Sequence, residues 1–86
     1  MGEIQELAKV FSEITDADNM AQFFNEIFTE SERKALVLRW QLLKMLNEKI
    51  PQRVISSKLG VSLCKITRGA KIIKDKNSIT QALLNK

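Results

Sequence analysis

The chain has no histidine, no tyrosine and a single cysteine, Cys64. Without an imidazole there is no His-based general acid or base and no His/Cys zinc cage, and one cysteine cannot close a disulfide framework. These absences argue against an enzyme, and no catalytic or metal-ligating residue is predicted. With one proline, three glycines, no internal repeat and no Gly/Ser linker, the 86 residues read as one continuous domain. No stretch approaches the roughly 20 apolar residues of a membrane span. The opening Met1-Gly2-Glu3-Ile4-Gln5-Glu6 lacks the basic flank and apolar run of a signal peptide. The expectation is a cytoplasmic protein with no membrane partner.

What is present is unevenly charged. Residues 1–32 hold eight acidic side chains against Lys9, a net −7, whereas residues 33–86 hold thirteen Lys and Arg against Glu48 and Asp75, a net +11. Such a gradient fits a scaffold in front and a polyanion-binding face behind. A chain of 86 residues with 44% hydrophobic content builds only a thin core of its own, so self-association is expected.

The apolar spacing is helical throughout. Ile4, Leu7, Ala8, Phe11 and Ile14 recur at three and four and predict a first helix over 3–14, which Thr15 to Asn19 then breaks. Met20, Phe23, Phe24, Ile27 and Phe28 form a second stripe, read equally well as core or as a surface that packs across a subunit boundary. Thr29-Glu30-Ser31-Glu32 is a capping box, so a third helix starts there. Its apolar face is Ala35, Leu36, Leu42, Leu43 and Leu46, and it ends near Asn47. Trp40 reads as core or dimer interface. Pro51, which lacks an N–H, fits the first turn of a fourth helix, and Gly60 ends that helix.

The segment after Pro51 carries the functional signal. Ile55 and Leu59 point inward with the small Ser56 between them, Leu59-Gly60-Val61 makes a tight turn, and Ser62 caps a second helix with inward Ile66. This is helix-turn-helix spacing, in which the second helix docks across the first and offers its outer face to the DNA major groove. Leu63, Cys64, Lys65 and Thr67 are then available to base edges, and Arg53, Lys65 and Lys71 suit phosphates, with Gln52 on the same face.

Residues 29–74 resemble the bacterial tryptophan repressor family. The resemblance is carried by Ser31-Glu32-Arg33-Lys34-Ala35-Leu36, Arg39, Gln52-Arg53, Leu59-Gly60 and above all Ile66-Thr67-Arg68-Gly69. It implies an all-α fold of about six short helices in an intertwined homodimer that represses transcription from palindromic, double-stranded operator DNA. Within 1–86, residues 1–47 would be the dimerisation scaffold, 51–74 the helix-turn-helix and 77–86 a C-terminal helix. It also implies a corepressor, L-tryptophan, and no other cofactor. Arg39 and Arg68 would flank the indole, Arg68 would also pair with the carboxylate, and Thr29 and Gly69 would line the pocket. The ligand's ammonium would meet backbone carbonyls around Glu26 to Phe28. Residue chemistry suits this, since a guanidinium stacks on an aromatic ring and its fork holds a carboxylate.

The chain departs from the family pattern in several places. The Arg39 to Gln52 segment is one residue shorter, the expected glycine is replaced within Asn47-Glu48-Lys49, and Pro51 stands where Ser or Thr is favoured as a cap. Ala70, Lys71 and Ile72 replace a more polar continuation, and Lys65 stands where a smaller Thr is usual near the pocket. These changes leave room for another aromatic or indole effector. Two further alternatives are a ligand-independent helix-turn-helix, like a sigma-factor region or an initiator domain, and a helical protein-interaction module.

Overall fold

The computed structural model describes residues 2–86. Among them are six helices and no strand: α1 Glu3–Ser12, α2 Ala17–Ile27, α3 Glu30–Asn47, α4 Gln52–Leu59, α5 Leu63–Lys74 and α6 Ile79–Leu84. The chain divides into two compact units, one ending at Lys34 and the other Ala35–Lys86, with the boundary inside α3.

In the first unit, local chemistry sets the helix starts. The Gln5 side chain accepts from the Gly2 N–H at 2.9 Å, and Asp16 accepts from the Asn19 N–H at 2.9 Å. The second contact corrects the expected break. Residues 17–19 are helical because Asp16 satisfies a free N–H of the first turn and makes the polar run an N-cap. α1 stops at Ser12, two residues before the predicted end. The capping box forms as expected, with the Thr29 N–H donating to Glu32 Oε1 at 2.8 Å and the Glu32 N–H donating to Thr29 Oγ1 at 3.2 Å. The four phenylalanines make a half-buried edge-packed cluster, with ring centroids of Phe11 and Phe23 5.4 Å apart and those of Phe24 and Phe28 also 5.4 Å apart. No described residue of this unit is fully buried.

The second unit has a core. Leu42, Ile55, Val61 and Ile66 are buried together, with Leu38, Met45, Leu46, Ile50 and Leu59 packed against them. Ile55 on α4 and Ile66 on α5 have no exposed surface at all. The Gly60 φ of +64° lets the chain turn from α4 into Val61, and Ser56 Oγ donates to the Val61 carbonyl at 2.9 Å across that turn. Ser62 then caps α5 by accepting from the Lys65 N–H.

One expectation for α3 needs correction: Leu36 lies outside the core, 41% exposed. Trp40, 42% exposed, is not part of this core either, and with Val37 the two form an open apolar ridge. Eighteen residues of one helix carry more apolar stripes than its second-unit neighbours cover, and those neighbours take Leu38, Leu42, Met45 and Leu46.

α3 ends in a Schellman motif. The Ile50 N–H donates to the Met45 carbonyl and the Lys49 N–H to the Leu46 carbonyl, with Lys49 left-handed at φ +64°. Lysine thus occupies the conformation for which glycine is preferred, and half-buried Ile50 supplies the apolar contact that follows such a cap. Pro51 stands just before α4, at its N-cap position, and its carbonyl accepts from Val54 and Ile55. At the other end of the unit, the Asn47 and Asn85 side-chain amides exchange hydrogen bonds at 3.1 and 3.2 Å, tying the end of α3 to the cap of α6.

Candidate functional site

Helix α5 carries chemistry on two faces. Toward α3, Lys65, Arg68, Gly69 and Ile72 recur at i, i+3, i+4 and i+7 and form one wall of a cleft of about 330 Å³. Ala35, Leu38, Arg39 and Leu42 repeat the same spacing on α3 and form the other wall, with Leu43 beside them and Val61 from the turn. The walls are apolar except for three cations, Arg39, Lys65 and Arg68. A cavity of this kind, mostly apolar with a few convergent polar groups, suits a small planar ligand bearing an anionic group. Gly69 packs tightly against α3: a Cβ there would lie 3.0 Å from Leu46 Cδ1 and 3.5 Å from Leu43 Cδ2.

Away from the core, α5 and α4 present the other candidate residues. Gln52 and Arg53 are exposed in the first turn of α4. Leu63, Cys64 and Lys65 are exposed in the first turn of α5, Thr67 and Lys71 on the turns after it. Neither helix has an acidic residue in its first turn, so the positive ends of both dipoles are uncompensated and carry Arg53 and Lys65 besides. That arrangement favours phosphate oxygens. Thr67 Oγ1 donates to the Leu63 carbonyl at 2.9 Å. Its proton is engaged within the helix, which leaves the methyl group and the oxygen lone pairs to meet a base edge.

The structure thus groups the ligand residues expected from sequence in two places. Arg39, Arg68 and Gly69 share one cleft. Phe28 and Thr29 belong to the first unit, Phe28 as the C-cap of α2 and Thr29 as the residue that caps α3. The Phe28 and Asn25 carbonyls both accept from Arg33 Nη1, so a guanidinium already occupies the negative end of α2.

Arg33 on the end of α2 was absent from the sequence reading of the ligand site, and Lys65, read only as a departure near the pocket, stands in the cleft wall itself. The signal for Lys65 was available, because it stands three residues before Arg68 and four before Gly69. For Arg33 the only signal was a cation just beyond a helix C-terminus. Among the described residues no group of His, Cys, Asp and Glu side chains is placed to hold a metal ion, and no helix is long and apolar enough to cross a membrane.

The chain is similar to known proteins over most of its length. The family model described as Trp repressor protein matches residues 2–86. A Trp operon repressor homolog of Xylella fastidiosa (strain M23) is 39% identical over 72 residues, 83% of this chain and 78% of its own. One from Haemophilus influenzae (strain PittEE) is 42% identical over 59 residues, 66% of this chain and 58% of its own. One from Mannheimia succiniciproducens is 43% identical over 49 residues, 56% of this chain and 48% of its own. No solved structure gives a significant match. α4, the Gly60 turn and α5 form a helix-turn-helix, the architecture of a DNA-binding regulator. The chain belongs to the Trp repressor family.

Proposed function

We propose that the protein is a homodimeric transcriptional repressor that binds double-stranded operator DNA and whose operator affinity rises when L-tryptophan occupies the cleft between α3 and α5. The observation that carries the reading is that one helix, α5, bears both surfaces. Arg68 and Gly69 line the cleft while Leu63, Cys64 and Thr67 stand exposed on the same helix. A ligand that fixes α5 against α3 therefore fixes the residues that would enter the major groove, and binding at either surface strengthens the other by the same factor.

The roles follow from residue chemistry. The Arg68 fork holds the ligand carboxylate, and the Arg39 plane stacks on the indole. Gly69 leaves room where a side chain would meet Leu46. Gln52, Arg53 and Lys71 hold phosphates, with Lys65 placed to reach either DNA or ligand. A dimer would present two reading helices to half-sites about one helical turn apart.

The test is operator affinity measured with saturating tryptophan and with none. A rise that Arg68→Leu abolishes and Arg39→Lys weakens supports the reading, since lysine keeps the charge but loses the plane. Equal affinities would leave the helix-turn-helix and remove the corepressor.

A further inference from the structure

One residue of the chain is held where its side chain is a burden. Among the described residues, Lys49 is the only one other than glycine with a positive φ, at +64°. In that region a Cβ crowds the adjoining carbonyl, a cost that glycine does not bear. The cap that Lys49 completes uses backbone alone: its N–H donates to the Leu46 carbonyl, and the next N–H, that of Ile50, to the Met45 carbonyl. Glycine would make both bonds without strain. The lysine side chain is exposed and enters no ion pair, since the only one among the described residues joins Lys34 to Glu30. A strained residue whose charge is unpaired within the fold points to a use outside it.

The neighbours of Lys49 give that use a direction. Ile50 packs against the core and the ring of Pro51 fixes its φ, so the backbone after Lys49 is as settled as α3 is before it. Three and four positions further on, Gln52 and Arg53 stand exposed in the first turn of α4, the residues read above as phosphate-binding. Lys49 thus sets a cation at the leading end of the same helix, on a short rigid segment that needs little ordering to bind. Glu48, the one acid between residues 33 and 74, is exposed and makes no ion pair with it. The phosphates of a duplex continue past any helix docked on them, and a free ammonium here extends the row of groups that meets them.

We infer that Lys49 is a DNA-contacting residue, kept in a conformation suited to glycine because its ammonium binds a backbone phosphate beyond those met by Gln52 and Arg53. The inference rests on the helix-turn-helix binding duplex DNA and is independent of the cleft.

The experiment is the salt dependence of binding between the full chain and a mixed-sequence DNA duplex, followed by fluorescence anisotropy. Each phosphate contact contributes about 0.9 to the slope of log affinity against log salt, so in a dimer Lys49→Gly should lower that slope by about 1.8. The same substitution should raise the thermal unfolding midpoint, because it removes the strain. Affinity that falls while stability rises is the opposite of a folding defect. Lys49→Asn, which tolerates the left-handed region, should lower the slope equally, and Lys49→Arg should keep it. Lys9→Gln removes a charge from α1, outside the helix-turn-helix, and should leave the slope unchanged. An unchanged slope in Lys49→Gly and Lys49→Asn, or an equal loss in Lys9→Gln, overturns the contact and leaves Lys49 as a charge facing the negative end of α3. Absence of duplex binding by the unaltered chain at low salt overturns the DNA reading, and the contact with it.

Discussion

The two units of this small chain are stabilised in different ways. From Ala35 onward, four residues of α3, α4, α5 and the turn between α4 and α5 are buried into a common core, and two of them, Ile55 and Ile66, are wholly enclosed. Up to Lys34, the described residues enclose nothing: four phenylalanines pack edge to face but stay half-exposed, and Ile4 remains 78% exposed. The difference teaches that apolar content is no measure of core. The first unit has its apolar residues at correct helical spacing but only two short helices and the first turn of α3 to cover them. The second has helices that cross, with Gly60, Ser56 and Gly69 small at the turn and at the close approaches. An aromatic stripe that its own unit leaves half-exposed is the pattern expected of a chain completed by a second copy.

The largest effect should come from opening the second unit's core. Ile66→Ala removes a fully enclosed side chain and should destabilise by about 2–5 kcal/mol in denaturant titration. Ile4→Ala, on an equally apolar but exposed residue, should shift the free chain by less than about 0.5 kcal/mol. Equal losses at the two positions would break the contrast between the units.

Next comes self-association. If a second copy covers the first unit, the unfolding midpoint rises with protein concentration, and each tenfold increase stabilises the dimer by about 1.4 kcal/mol. Phe23→Glu should weaken association while α4 and α5 stay folded. A fully folded monomer at all concentrations in sedimentation equilibrium would show that the aromatic stripe needs no cover.

The exposed face of α5 should show an effect of similar or smaller size. Thr67→Ala removes the methyl and oxygen offered to a base edge and should relax preference at one operator position by roughly 1–3 kcal/mol. Arg53→Ala should weaken all sequences alike and flatten the salt dependence. Intact preference in Thr67→Ala would mean that another face of α5 enters the groove.

The smallest effects concern the two left-handed residues, both in the second unit. Lys49→Gly should stabilise by about 1 kcal/mol, because φ +64° strains a residue with a Cβ. Gly60→Ala should destabilise by about the same amount, although no atom lies within 4 Å of the new Cβ. Opposite signs at positions with the same φ, read from thermal unfolding, would show that backbone conformation and not packing governs both.

Much of this was legible in the chain itself. The capping box at Thr29, the glycine turn at Gly60, the Ser62 cap and inward Ile55 and Ile66 stand where their local chemistry puts them. Local chemistry also misled at Ala17–Asn19, where a polar run that reads as a break is the start of a capped helix. The one-residue shortening after Arg39 was ambiguous because one residue turns a helix by about 100°. The residues between Asn47 and Gln52 form a Schellman cap and a Pro-led start of α4, and Arg39 shares its cleft with Arg68.

What the sequence by itself determined is the set of helices, their caps and the residues each turns outward, since these depend on contacts within about four positions along the chain. Only the tertiary structure decided which of α3's several apolar stripes meets the core, leaving Leu36 and Trp40 open. It also decided that Lys65 stands in the cleft beside Arg39 as well as on the outer face of α5. The physical reason is that helical periodicity sets the angle of a side chain about its own axis. Whether that angle faces protein or water depends on where a second helix crosses, and the crossing is set by Gly60, Ser56 and Gly69 acting together across segments distant in the chain.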